Sequence, residues 1–303
     1  MKNILSFILY VFIVILALTP SLSKDVISNS LNLCMYTLVP VIFPFISLTS
    51  LMISYKLYEP IAKLFYPILH KLFGVSLNGC FAVIIGFTCG YPMGIKISYD
   101  LYSSKQISYD EYIYLVSFTN NVSIGFLFGF IHTIVLQRKI PAPILLAITY
   151  MPSIITGLIL KKHNFSSIPK TNKASTFASP ISNSITSICT ICFYTISCSI
   201  ISDYLYFFFN RNIFVCRYII PFIEITKGLT FISSTGDYSF SQKILISTIA
   251  TITGGFCITI QSYLFSKNTN SLKHYIKGKS FSCLISVSLI YLYSLYVHLP
   301  DYL

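Results

Sequence analysis

Long apolar stretches separated by short polar links recur along the whole chain of 303 residues. Several of these stretches reach the roughly 18 to 25 predominantly apolar residues with which a helix crosses the hydrocarbon core of a bilayer. They predict about eight to nine hydrophobic helices, some of them broken or re-entrant, in a single integral membrane domain over residues 1–303. The pattern therefore predicts an all-α polytopic membrane protein.

The composition agrees with this prediction, because 54% hydrophobic and only 10% charged residues are too apolar a mixture for a soluble domain. The lysines behind the net charge of +12 are scattered through links and helix ends. This favours contact with membrane lipids and argues against nucleic acid as a partner. The nine cysteines lie mostly in apolar segments and are expected to pack as small hydrophobes, so no metal site and no cofactor is predicted.

Three further segments have a predicted position relative to the membrane. The apolar stretch after Met1 has the basic start of a signal peptide, but its length favours an uncleaved first helix. Residues 56–73 mix lysines with Leu, Ile and Phe, which predicts an amphipathic helix along the membrane interface. The long polar link 161–175 is expected on the cytoplasmic side, where it joins two halves.

The two halves, 31–160 and 176–298, echo each other weakly. Each contains a glycine-bearing apolar segment, a polar link and a further helix, marked by the dipeptides GF, SY and SF in that order. Chance similarity competes with a true repeat in so apolar a sequence, and the sequence leaves both explanations open. Corresponding interrupted segments in two halves would point to the binding site of a transporter.

The stretch GYPMGIK, residues 90–96, interrupts an apolar run that is too short to cross a membrane. Gly90 and Gly94 allow close backbone approach, and Pro92 removes a hydrogen-bond donor. The backbone groups freed in this way need protein, water or ligand, since lipid cannot bond them, which predicts a broken helix facing a cavity. Lys96 would either attract an anion at the cavity wall or extend towards the lipid headgroups.

A second polar stretch, SFTNN, lies in the first half of a helix predicted over residues 112–135. Ser117, Thr119, Asn120 and Asn121 place several hydrogen-bonding side chains within about one turn. They would either link neighbouring helices, at about 1 kcal/mol per bond, or hold a polar ligand or an unwound turn. The paired asparagines favour the second explanation.

The second half contains two comparable stretches, EITKG and GGFCITIQ. Glu224 and Lys227, three residues apart in an apolar segment, would either neutralise each other or face a substrate. Gly254 and Gly255 loosen a helix in which Gln261 adds a polar group two turns on.

In order and spacing, GYPMGIK, SFTNN, EITKG and GGFCITIQ resemble the YlbJ (SpoVV) sporulation integral membrane proteins of the nucleoside-recognition or Gate-domain superfamily, over about half the chain. The resemblance implies inverted repeats similar to those of concentrative nucleoside transporters. It further implies residence in the outer forespore membrane and passage of dipicolinic acid. With the residues above, the candidate substrate-binding positions are Gly90, Tyr91, Pro92, Gly94, Lys96, Ser117, Thr119, Asn120, Asn121, Glu224, Thr226, Lys227, Gly228, Gly255 and Gln261.

The chain departs from the family pattern, since Lys227 stands where an asparagine is expected. An added cation suits a dicarboxylate better than a neutral nucleoside. The predicted function is therefore sporulation-associated transport of a small anionic solute, most simply dipicolinic acid. The alternatives are transport of nucleosides or another small polar solute, or a non-transporting scaffold that works as a homo-oligomer or with a spore-membrane partner.

An enzyme is not expected. The five histidines are isolated along the sequence, and Asp110 and Glu111 fit the start of a helix, where carboxylates favour the helix dipole. The chain contains no GxxxxGK[ST] phosphate-binding loop, so energy for transport would come from an ion gradient, a partner or the solute gradient.

Overall fold

The computed structural model of the protein describes residues 2–161, 165, 180–209, 214–234, 238–266 and 269–297. Most of the predicted polar link 161–175 lies outside these residues. The elements within the described ranges are all helices, which confirms the predicted all-α class.

The N-terminal part forms two bent helix pairs. The helices, in chain order, are α1 (Lys2–Leu18), α2 (Pro20–Asn32), a π-helical segment (Leu33–Leu38), α3 (Val39–Ser54) and α4 (Glu59–Phe73). The bend between α1 and α2 is 106°, and the bend between α3 and α4 is 91°. Helix α4 is amphipathic, with Leu64 74% exposed and Ala62 fully buried. Its sharp departure from α3 suits the interfacial position predicted for residues 56–73.

The middle of the chain is built from short helices. They are α5 (Leu77–Thr88), α6 (Met93–Ser103), α7 (Tyr109–Phe118), α8 (Ile124–Phe126), a π-helical segment (Leu127–Val135) and α9 (Ala142–Ile159). The helix predicted over 112–135 is interrupted, because the chain unwinds between α7 and α8, as one of the alternatives for SFTNN expected. Short polar side chains in this segment bond to the local backbone and so compete with the helix.

Two further helices are interrupted in the second half. The elements are α10 (Pro180–Phe209), a π-helical segment (Val215–Ile219), α11 (Ile220–Ile223), α12 (Ile225–Ser234), α13 (Phe240–Thr253), α14 (Gly255–Ser266) and α15 (Thr269–Val297). Glu224 is extended between α11 and α12, with φ −133° and ψ 117°. Gly254 and Gly255 have left-handed φ values of 73° and 67°, which permits the change of direction between α13 and α14.

Among the described residues, four helical segments are long and apolar enough to cross a membrane, or up to six if each bent pair is one span. The shorter and broken helices account for the remaining predicted hydrophobic segments. Large apolar side chains face outwards, as Leu292 does at 61% exposure, while many serines and threonines are buried. A lipid environment explains this arrangement.

Helix α15 connects the parts of the fold that carry the polar stretches. It packs against α7, α9 and α13, while α14 packs against α6 and α10. The buried apolar core consists of one cluster around α5 to α7 and another around α12 and α13. The interrupted helices of both halves therefore meet in the interior.

Candidate functional site

The predicted break at GYPMGIK is confirmed. Helix α5 ends at Thr88 and α6 begins at Met93. Gly90 between them has a left-handed φ of 87°, and the Tyr91–Pro92 peptide bond is cis. A Cβ atom on Gly90 would lie 2.6 Å from the Ser123 backbone nitrogen, so the break packs directly against the unwound segment that follows α7.

The polar side chains at and before the unwound segment, residues 119–123, bond to backbone carbonyls near the end of α7. The side chains of Ser117, Thr119 and Asn121 donate to carbonyls three or four residues earlier, over 2.6, 2.8 and 2.9 Å. The Ser153 hydroxyl donates to Asn121 Oδ1 over 2.6 Å. Three of the four predicted polar side chains therefore hold the helix end, as capping groups do.

Three glycines from three different helices contact the end of α7 and the unwound segment that follows it. A Cβ atom on Gly86 of α5 or Gly94 of α6 would lie 2.1 or 2.2 Å from the Thr119 carbonyl oxygen. A Cβ atom on Gly278 of α15 would lie only 1.8 Å from the Ser117 carbonyl oxygen. Only glycine permits such close contact between a helix and another backbone.

Asn120, the remaining polar residue of the segment, connects it to the second half of the chain. Its amide nitrogen donates to the Ser262 hydroxyl over 3.2 Å. Its backbone carbonyl accepts a hydrogen bond from the Lys279 ammonium. Its side-chain oxygen is buried and has no hydrogen-bond partner among the described residues.

Lys279 lies beside a pocket of about 440 Å³. Its side chain is only 6% exposed, and within the described ranges no carboxylate forms an ion pair with it. The ammonium lies 5.7 Å from the centre of the Tyr275 ring, whose hydroxyl donates to the Thr253 carbonyl over 3.0 Å. The residues that line the pocket are Thr253, Thr259, Tyr275, Ile276, Lys279, Ser280, Cys283 and Leu284.

Lys96 has an arrangement that differs from both predicted alternatives. It is 2% exposed, and its ammonium lies 2.5 Å from Asp100 Oδ2, one turn further along α6. The Asn183 amide of α10 donates to the same carboxylate oxygen over 3.4 Å. The ammonium thus has its counter-charge within the protein.

We expect Asp100→Asn to lower the melting temperature and membrane abundance strongly, because removal of one partner from a buried ion pair typically costs about 3–5 kcal/mol. The double variant Lys96→Met with Asp100→Leu should recover most of that loss, since it leaves no unpaired charge. Abundance and melting temperature of purified protein measure both effects. A double variant that is stable but inactive in transport would instead make Lys96 a solute-contacting residue.

The charged side chains of Glu224 and Lys227 bind other groups in place of the ion pair that their spacing suggested. The Glu224 carboxylate accepts the backbone N–H groups of Thr226 and Lys227 over 3.2 and 2.8 Å, which caps the N-terminus of α12. The Lys227 ammonium lies 2.9 Å from Asp203 of α10. Gly228 permits the close contact of α12 with α11, because its Cβ atom would lie 2.2 Å from the Pro221 Cα.

The second pair of breaks packs together as the first pair does. A Cβ atom on Gly255 would lie 2.9 Å from the Phe222 carbonyl oxygen of α11. In α14, the Gln261 amide nitrogen donates to the Thr195 hydroxyl over 3.1 Å, and its oxygen has no partner within the described part of the chain. Gln261 therefore points towards α10.

Tyr91, in the first break, packs against the apolar cluster around α12 and α13. Its hydroxyl is buried and has no hydrogen-bond partner among the described residues. The first break therefore contacts the core of the second half.

Comparison with known proteins finds a relative among spore-forming bacteria. The sporulation integral membrane protein YlbJ of Bacillus subtilis (strain 168) is 26% identical over 144 residues, which are 48% of this chain and 35% of that protein. This match supports the similarity to the YlbJ family that the motifs indicated. No family model and no solved structure matches the chain. The similarity to YlbJ and the apolar helices together identify an integral membrane protein.

Of the residues around the pocket, Thr259 belongs to the motif GGFCITIQ, whereas Lys279 lies outside the four motifs. Lys277 and Lys279 stand in a stretch, KGKS, that has the composition of a polar link and not of a membrane helix. Helix α15 instead begins at Thr269. The spacing of Tyr275, Lys279 and Cys283, four residues apart, would have placed them on one face of that helix.

Proposed function

We propose that this protein is a sporulation-associated membrane transporter for a small anionic solute, with dipicolinic acid as the first candidate. The observation that carries the proposal is Lys279, a buried ammonium beside a pocket with no carboxylate partner in the described part of the chain. A buried charge is costly unless an opposite charge compensates it. A carboxylate of the solute would supply that charge through a charge-assisted hydrogen bond.

The interrupted helices support transport in preference to a purely structural role. Non-helical backbone at membrane depth is tolerated where protein buries it or where it lines a cavity, and paired broken helices surround the solute in many transporters. Here Gly90 and the unwound segment come from the first half, while Glu224 and Gly255 come from the second half. Movement of one group against the other would expose the pocket alternately to the two sides.

The pocket suits a small planar acid. Its volume of about 440 Å³ falls within the roughly 300 to 1,000 Å³ typical of small-molecule sites. Lys279 would bind one carboxylate, and the Thr253 and Thr259 side chains also line the pocket. The sporulation context rests on the sequence motifs and on the name of the Bacillus relative. The outer forespore membrane and the Gate-domain superfamily rest on the resemblance of the sequence motifs alone.

Uptake of labelled dipicolinate into proteoliposomes tests the proposal. We expect uptake that saturates, that excess unlabelled dipicolinate inhibits and that exceeds uptake of labelled uridine measured in parallel. Liposomes without protein provide the control. Preferential uptake of uridine would favour the nucleoside alternative, and no uptake of either solute would favour a scaffold.

A further inference from the structure

Resting on the proposed function, we infer that the Lys279 ammonium takes the place of an inorganic coupling cation at the unwound segment after α7, so that transport needs no sodium ion there. In transporters built from broken helices, unwound carbonyls and the C-terminal ends of half-helices coordinate sodium ions. The Asn120 carbonyl lies two residues beyond the end of α7, where the helix dipole favours a positive charge. Lys279 supplies that charge as part of the chain.

Some oxygen atoms of the segment already have hydrogen-bond donors. Asn121 Oδ1 accepts from the Ser153 hydroxyl over 2.6 Å. The Tyr150 hydroxyl donates to the Val122 carbonyl over 2.7 Å. The Asn120 side-chain oxygen is free among the described residues, but a sodium ion beside it would lie close to the ammonium and be repelled.

The fold holds the ammonium in this position. Gly278 brings α15 into contact with the backbone at the end of α7, and Lys279 follows directly in the chain. No carboxylate within the described ranges competes for the ammonium.

The same ammonium can also bind the solute. A lysine carries three donors, and the Asn120 carbonyl takes one of them, which leaves two for an anion in the pocket. Binding of the anion would thereby act directly on the unwound segment.

Replacement of sodium tests the inference on the unmodified protein. Dipicolinate uptake should differ less than about two-fold between sodium and choline media of equal ionic strength, since screening is then the same. A tenfold loss of uptake without sodium would overturn the inference and leave the proposed function intact. No uptake in either medium would defeat the proposed function, and the following comparison would then decide the inference alone.

The melting temperature of the purified protein provides that comparison. It should be equal in sodium chloride and choline chloride for the unmodified chain and for the control variant Lys277→Ser, whose side chain is exposed. Lys279→Ser should melt at a higher temperature in sodium chloride, because the vacated position would then bind the ion. A sodium-specific rise for the unmodified chain, or equal melting of Lys279→Ser in both salts, would contradict the inference.

Discussion

Dipicolinate uptake by Lys279→Gln is expected to fall about 100-fold, because a desolvated charge contact is worth roughly 2–5 kcal/mol and each 1.4 kcal/mol is a factor of ten. Folding should survive, since the glutamine amide can still donate to the Asn120 carbonyl and no carboxylate in the described part of the chain loses its partner. Lys277→Gln, two residues away and exposed, is the matched control and should retain normal uptake.

Binding can be measured separately from uptake through Cys283, whose side chain lines the same pocket. Dipicolinate should slow alkylation of Cys283 by N-ethylmaleimide in the unmodified chain and not in Lys279→Gln. Cys189 lies exposed on α10 and serves as the internal reference. Normal uptake and normal protection in Lys279→Gln would show that the pocket does not bind the anion through this charge.

Gly278→Ala is expected to lower both the melting temperature and uptake. The new methyl group would lie 1.8 Å from the Ser117 carbonyl oxygen, so α15 has to move away from α7. Overpacking of this kind typically costs about 1–3 kcal/mol, whereas glycine to alanine in a helix interior otherwise stabilises by about 1 kcal/mol. The displacement would also carry Lys279 away from the Asn120 carbonyl.

Gly129→Ala provides the comparison for this effect, because a Cβ atom on Gly129 would have no neighbour within 4 Å. That variant should melt at the same temperature as the unmodified chain or slightly above it. A lower melting temperature for Gly278→Ala alone would therefore show an effect of close backbone contact, whereas helix propensity would raise the melting temperature of both variants. If Gly278→Ala is as stable and active as Gly129→Ala, then α15 does not position Lys279 in the way described.

The breaks could be predicted wherever local chemistry causes them. Gly90, Pro92 and the pair Gly254 and Gly255 disfavour a continuous helix whatever surrounds them, and the chain breaks at each of these places. The unwinding after α7 could be predicted only in part. The paired asparagines favoured a polar ligand or an unwound turn at this place, but the close contacts from Gly86, Gly94 and Gly278, which are distant in sequence, leave no local pattern.

The partners of the charged residues likewise include one that the sequence could reveal and others that depend on the fold. Asp100 stands four residues after Lys96, and this helical spacing could have revealed the ion pair from the sequence. Lys227 binds Asp203, which belongs to another helix, and Lys279 binds a backbone carbonyl 159 residues away. Because every residue has a backbone carbonyl, the sequence does not show which carbonyl a lysine binds, and Lys279 could not be predicted as a site residue in this way.

The two helix ends that lie beside a charged side chain affect how many ions cross the protein when no solute is bound. The negative end of α7 lies beside the Lys279 ammonium, and the positive end of α12 lies beside the Glu224 carboxylate. Both compensating charges are attached to the chain and cannot diffuse away. Without solute, the end of α7 would therefore attract few cations, and the start of α12 would attract few anions, from either side. We expect the resting protein to leak little cation current, whatever gradient the membrane maintains.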